Sequence, residues 1–194
     1  MFHARPRLYL FTFLSFSLVV AFLGAPACGS ATGPSQSRQT FPPYAGTALQ
    51  LFDDRIDPIA VGLADVADKP RTNPVLRART QSAEAVARAR VSTLSVDSIG
   101  GNPVYRLSLT FIDRPLVRRG FPADRIEIAV RPDSPAFGVV KWLDARLIGR
   151  TFIGFFHRFA GNDEPEVRFH LSADDPEVLA AVREASALSE LSSK

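Results

Sequence analysis

The sequence predicts an α+β fold, an antiparallel sheet of about five strands (two hairpins plus one strand) covered by helices. Three observations carry the prediction. After residue 89 the apolar spacing switches from a helical to a two-residue period. Two alternating segments, "RVSTLSV" and "VYRLSLTFI", flank "DSIGGNP", whose Gly100 and Gly101 suit a hairpin turn. Asp57-Pro58, Asn73-Pro74, Ser134-Pro135 and Asp175-Pro176 each set a capping residue before a proline at the first helical position.

Along the chain, Thr47 and Gln50 have capping-box spacing and predict a short helix presenting Leu49, Phe52 and Ile56 on one face. Asp57-Pro58 predicts a second helix through Ala67. From Pro74 to about Ala89 a stripe of Arg77, Gln81, Glu84 and Arg88 predicts a helix, with Glu84 four residues before Arg88 as its ion-pair partner. In the hairpin that follows, Tyr105, Leu107, Leu109 and Phe111 share a core face. "RIEIAVR" alternates Ile126, Ile128 and Val130 with charge and makes the lone strand. A helix is expected from Pro135 to about Ile148, closed by Gly149. "TFIGFFHRFA" and "EVRFHLSA" form the second hairpin, and an amphipathic helix from Pro176 to about Leu188 ends the domain.

Ahead of the domain, Arg5 and Arg7 precede an apolar run from Leu8 to Leu23 that is shorter than the ~20 residues a membrane-crossing helix needs. This is the pattern of a signal peptide, residues 1–27, ending in the small residues Gly24 to Ala27. Cys28 is the one cysteine in the chain, so no internal disulfide can form. Placed just after Ala27 and followed by Gly29-Ser30, it resembles the lipobox of bacterial lipoproteins. The resemblance implies a diacylglyceryl group on Cys28, a membrane partner through that lipid, and sorting to the outer membrane facing the periplasm. Ala25-Pro26-Ala27 also has the A-x-A form of ordinary cleavage, which would make a secreted or periplasmic protein. Residues 28–46, rich in Ser, Thr, Gly and Pro, read as a flexible tether to one domain over residues 47–194.

Composition narrows the function. The formal charge of +3 includes Arg5 and Arg7, which leave with an acid-free signal, so the mature chain carries 21 basic against 20 acidic residues. That balance argues against a nucleic-acid partner. No phosphate-binding loop, dinucleotide fingerprint or esterase elbow occurs, so no cofactor is indicated. "RPLVRRG", with Arg114, Arg118 and Arg119, followed by Arg125, could meet anionic head groups, although exposed loops commonly carry such charge.

The leading expectation is a lipoprotein of the cell envelope that binds a partner, such as another envelope protein, or serves structurally. Two alternatives stand beside it. One is an exported hydrolase using His157 or His170 with a carboxylate such as Asp53, Asp54 or Asp163. The other is a carrier holding an apolar ligand in a cavity lined by Phe152 and Phe156, since "TFIGFFHRF" is apolar on both faces. No metal site is expected. A hairpin loop over Gly161 to Pro165 would face Ala160 with Glu166 and put His157 and His170 on opposite faces of the sheet. Asp53, Asp54 and Asp57 read as a solvated helix face, with Asp57 as a cap.

Overall fold

Strand β1 is Arg55–Ile56, β2 Ala85–Ile99, β3 Asn102–Phe111, β4 Val117–Arg118, β5 Arg125–Val130, β6 Thr151–Phe159 and β7 Glu166–Ala173. They form one sheet in the order β1-β7-β6-β2-β3-β5, with β4 paired to β2. The computed structural model describes residues 40–65, 69–121 and 123–192. The expected signal peptide, Cys28 and the tether as far as residue 39 lie outside the described residues, as do residues 66–68 of the expected second helix.

The α+β class is as the sequence predicts, but the sheet has seven strands and is mixed. The two additions are the two-residue strands β1 and β4, and β1 runs parallel to β7 with Arg55 opposite His170. Asp54 explains β1. Its backbone is left-handed (φ 48°), a conformation that aspartate tolerates better than most residues. The buried carboxylate holds it there by accepting the Phe169 N–H (3.2 Å) and pairing with Arg168. Its carbonyl accepts from Ser134 Oγ (2.7 Å) and Ala136 N (3.1 Å), so one residue joins two segments distant in sequence.

Helix α1 is therefore only Ala48–Leu51, and Thr47 makes no side-chain cap. Phe52 and Ile56 are buried as expected, while Leu49 is half exposed. After Asp57 caps the next turn through Ile59 N, a single 3-10 turn, Pro58–Val61, stands where a helix to Ala67 was expected, and Gly62 (φ 77°) stops it. Thr40 to Gly46, read as the end of the tether, lie against the domain: Pro42 O accepts from Ala160 N (2.9 Å), and Tyr44 donates to Phe52 O (2.6 Å).

Helix α2 spans Pro74–Ser82, capped by Asn73 through Val75 N (2.9 Å) and Leu76 N (3.1 Å). It stops seven residues before the expected end. Alanine favours helices, but here Ala85, Ala87 and Ala89 alternate on β2 opposite Phe156, Gly154 and Phe152, where small side chains leave room for the rings. Glu84 consequently pairs with Arg158 (2.7 Å), and Arg88 with Asp113 (2.9 Å) and Asp174 (2.8 Å), so the expected Glu84–Arg88 pair is not made.

The β2–β3 turn is Gly100 (φ 58°) and Gly101 (φ 81°) between paired Ile99 and Asn102, the two-residue form that needs positive φ twice. A bulge between Val91 and Thr93 brings Leu94 to the face of Val91. That face packs Leu107, Leu109, Ile128, Phe152, Phe156 and Leu171 against α3 (Phe137–Leu143) and the following 3-10 turn, Asp144–Leu147. A break at Asp144 (φ 47°) replaces the single helix expected to Ile148. The opposite face, with Val86, Ile153, Phe155 and Phe159, receives Phe52, Leu76 of α2, and Ala181 and Val182 of α4 (Pro176–Ser192). Asp175 Oδ1 starts α4 by accepting from Glu177 N (2.7 Å). The sheet is thus covered on both faces, which accounts for the doubly apolar β6.

Candidate functional site

On the α2–α4 side, the end of β7 leaves a cleft of about 670 Å³. Helix α2 supplies Leu76 and Arg79, three residues apart and hence on one helical face. Val178 comes from the first turns of α4, Ile59 from the Pro58–Val61 turn, and Pro70 from a 3-10 turn over Pro70–Thr72. These give an apolar wall. His170 and Ser172, two apart on β7, reach the same cleft from the sheet.

His170 is 7% exposed, and its Nδ1–H donates to Asp53 Oδ1 (2.8 Å). The parallel β1–β7 pairing creates this contact by bringing the residues before Arg55 beside His170. Burial lowers the imidazole pKa below its ordinary 6.5, against the opposing pull of Asp53. Neutral imidazole therefore prevails at pH 7, and Nε2 is an acceptor with no hydrogen-bond partner among the described residues. Burial by itself would raise the Asp53 carboxyl. The His170 hydrogen bond, with the charges of Arg79 and Arg55, outweighs it and holds the carboxyl below the usual range. Arg55 Nε lies 3.0 Å from the other carboxylate oxygen.

Arg79 is the second buried polar group, also 7% exposed. Its Nε donates to Leu51 O (2.6 Å), and its guanidinium lies 5.7 Å from the Phe155 ring centre. Desolvation lowers its pKa to about 10, partly offset by Asp53 and Asp57, so it stays charged at neutral pH. Among the described residues no carboxylate lies within 4 Å of it.

The other candidate residues fall elsewhere. The β6–β7 register pairs Phe159 with Glu166 and His157 with Arg168, one residue away from the expected pairing. Both histidines therefore share a face, contrary to expectation. His157 nevertheless stands outside the cleft, its Nδ1 2.9 Å from Ser82 O and its ring between Phe52 (5.3 Å) and Phe159 (4.5 Å). No group of three or more His, Cys, Asp or Glu among the described residues is placed to hold a metal ion. Asp54 is not on a solvated helix face; its burial raises its pKa despite Arg168. Asp163 borders a different, charged groove, where Arg131–Glu166 (3.0 Å), Arg168–Glu166 (2.8 Å) and Arg106–Glu127 (2.8 Å) pair with one another.

Phe152 and Phe156 are fully buried and pack with Phe111 and Phe121. Neither ring forms part of the cleft wall. In the arginine loop, Arg118 pairs with Asp124 (2.9 Å), and Arg119 donates to Gln81 O and to Ser189 Oγ (3.2 Å). Sequence reasoning named Asp53 and His170 but missed Arg79. Its one signal is the helical spacing from Leu76, which places a cation on the buried side of α2.

No family model, curated protein or solved structure matches the chain. The chemistry of the cleft itself therefore carries the argument. It offers an apolar wall, one buried cation, and one neutral imidazole oriented by a carboxylate. Such a set can bind a small molecule in a fixed orientation, and the imidazole can accept a proton.

Proposed function

We propose that the chain is an exported binding protein, tethered to the outer membrane through lipidated Cys28, that holds a small molecule in the cleft beside His170. The observation that carries the binding reading is the cleft: about 670 Å³, within the usual range for small-molecule sites, with an apolar wall and a few convergent buried polar groups. The carrier alternative thereby moves from Phe152 and Phe156, which are packed in the core, to Leu76 and Val178. Support for the tether is the sequence pattern around Cys28.

Two measurements test this reading. Organic extraction of protein purified from its membrane, followed by mass spectrometry, should yield a compound that is depleted in Val178→Trp, whose larger side chain narrows the cleft; an extract no different from that of the variant would overturn it. Mass spectrometry of the mature N-terminus should find diacylglyceryl-modified Cys28, and an unmodified N-terminal Cys28 would overturn the tether.

A second reading, hydrolysis, is favoured by the Asp53–His170 hydrogen bond, which orients Nε2 as a general base toward water in the cleft. Ser172 borders the cleft, but no hydrogen bond joins it to His170 among the described residues. Under this reading p-nitrophenyl esters are turned over, and His170→Gln loses about 100-fold or more of the rate. Absence of turnover by the folded wild type would exclude ester hydrolysis.

A further inference from the structure

We propose that the ligand of this cleft carries an anionic head group, a carboxylate or a phosphate, received by the guanidinium of Arg79, with an apolar body lying along Ile59, Leu76 and Val178. The proposal rests on the binding reading above and names the ligand class.

A guanidinium removed from water requires a counter-charge or hydrogen-bond acceptors for its five N–H donors. Arg79 is more than nine-tenths buried; Leu51 O accepts from its Nε–H, no other acceptor meets its guanidinium among the described residues, and its terminal nitrogens are not among the buried unpartnered atoms, where Arg168 Nε is found. Its remaining four N–H groups belong to a residue that borders the cleft, and their fork geometry matches two oxygens of one carboxylate or phosphate.

The acids around the cleft are already engaged. Asp57 caps its 3-10 turn through Ile59 N (3.4 Å) and Asp175 caps α4. Glu177 pairs with Arg71 (3.2 Å), and Asp53 is held by His170 and Arg55. Lys69 adds a second cation to the lining. The formal charges of the lining balance, Lys69, Arg71 and Arg79 against Asp57, Asp175 and Glu177, but among the described residues no carboxylate lies within 4 Å of Arg79, so its guanidinium is a buried charge beside apolar side chains with no ion-pair partner. An anion on an apolar chain satisfies both parts, whereas a cation there would face Arg79 at low dielectric.

The test is calorimetric titration of the full chain in lipid nanodiscs, corrected for empty nanodiscs, with octanoate, octyl phosphate, 1-octanol and octyltrimethylammonium. At least one of the two anions should bind ten-fold or more tightly than 1-octanol, and the cation should not bind. Whichever anion binds better identifies the head group. Arg79→Met, which keeps an unbranched apolar stem and removes the charged fork, should reduce the preference for anion over alcohol to less than two-fold while the affinity for 1-octanol is kept. Equal affinity for 1-octanol and both anions in the wild type would overturn the anion assignment and leave the binding reading standing. Failure of all four to bind would overturn both.

Discussion

Gly154→Ala probes how tightly the sheet core is closed. A Cβ built on Gly154 would lie 2.3 Å from Cζ and 2.5 Å from Cε2 of Phe156, and 3.3 Å from Cδ2 of Leu171. Carbon atoms pack best at about 3.5–4 Å, so the Phe156 ring tip must retreat by about 1 Å or more. It has nowhere open to go: the residue is fully buried, with the Phe111 ring centre at 5.9 Å and that of Phe121 at 6.5 Å. Overpacking of this kind costs about 1–3 kcal/mol, while alanine returns about 0.4–1 kcal/mol by restricting the unfolded chain. The net loss of about 1–2 kcal/mol lowers Tm by about 3–8 °C for a domain of this size. Circular dichroism melts of wild type, Gly154→Ala, Phe156→Leu and the double variant measure it. In the Phe156→Leu background, where the ring tip is gone, the alanine should be tolerated, with a coupling of about 1 kcal/mol. An unchanged or raised Tm for Gly154→Ala, or an equal drop in both backgrounds, would refute the packing argument.

Three further outcomes are expected. Asn73→Ala removes the side-chain acceptor for Val75 N and Leu76 N and should cost about 1 kcal/mol in urea unfolding, with an unchanged m-value. Glu84→Ala leaves Arg158, paired at 2.7 Å and largely buried, without its counter-charge, and should destabilise by about 3 kcal/mol on the same assay. His170→Gln should flatten the acid side of the stability profile. Because burial lowers the folded-state pKa of His170 below 6.5, its contribution is complete above about pH 6.5 and is lost as pH falls, when the unfolded chain takes up the proton first. Urea midpoints at pH 7 and pH 5 should therefore differ more in wild type than in the variant, and equal differences would contradict the burial argument.

The parts of this fold legible in the sequence are those determined locally. Alternation placed Leu107, Leu109, Ile126 and Ile128 in the core, and Gly100-Gly101 specified its turn because two adjacent positive φ angles exclude most other residues. Asn73 and Asp175 cap their helices as their position before proline implies. What was hidden depends on partners far along the chain. The alanines after Ser82 have helical propensity and become strand only because Phe152 and Phe156 require small neighbours across β2. The one-residue change in the β6–β7 register, which reverses the relation of the two histidines, lies in loop geometry that composition does not encode. The site divides in the same way. Asp53 and His170 were candidates by chemistry, but only the turn at Asp54 and the parallel β1–β7 contact bring them together. Arg79 has only its helical spacing from Leu76 as a signal in the sequence, and its burial follows from the packing of α2 on β6 and α4.

The central claim, that the cleft beside His170 binds a small molecule, is tested most directly by nuclear magnetic resonance titration of the isotopically labelled full chain with octanoate and octyl phosphate. Saturable shifts are expected for at least one of them, concentrated at Leu76, Arg79, His170 and Val178 and weakened by Val178→Trp. Shifts centred instead on exposed Trp142 and Ile148, or no saturable shift with either compound, would contradict it.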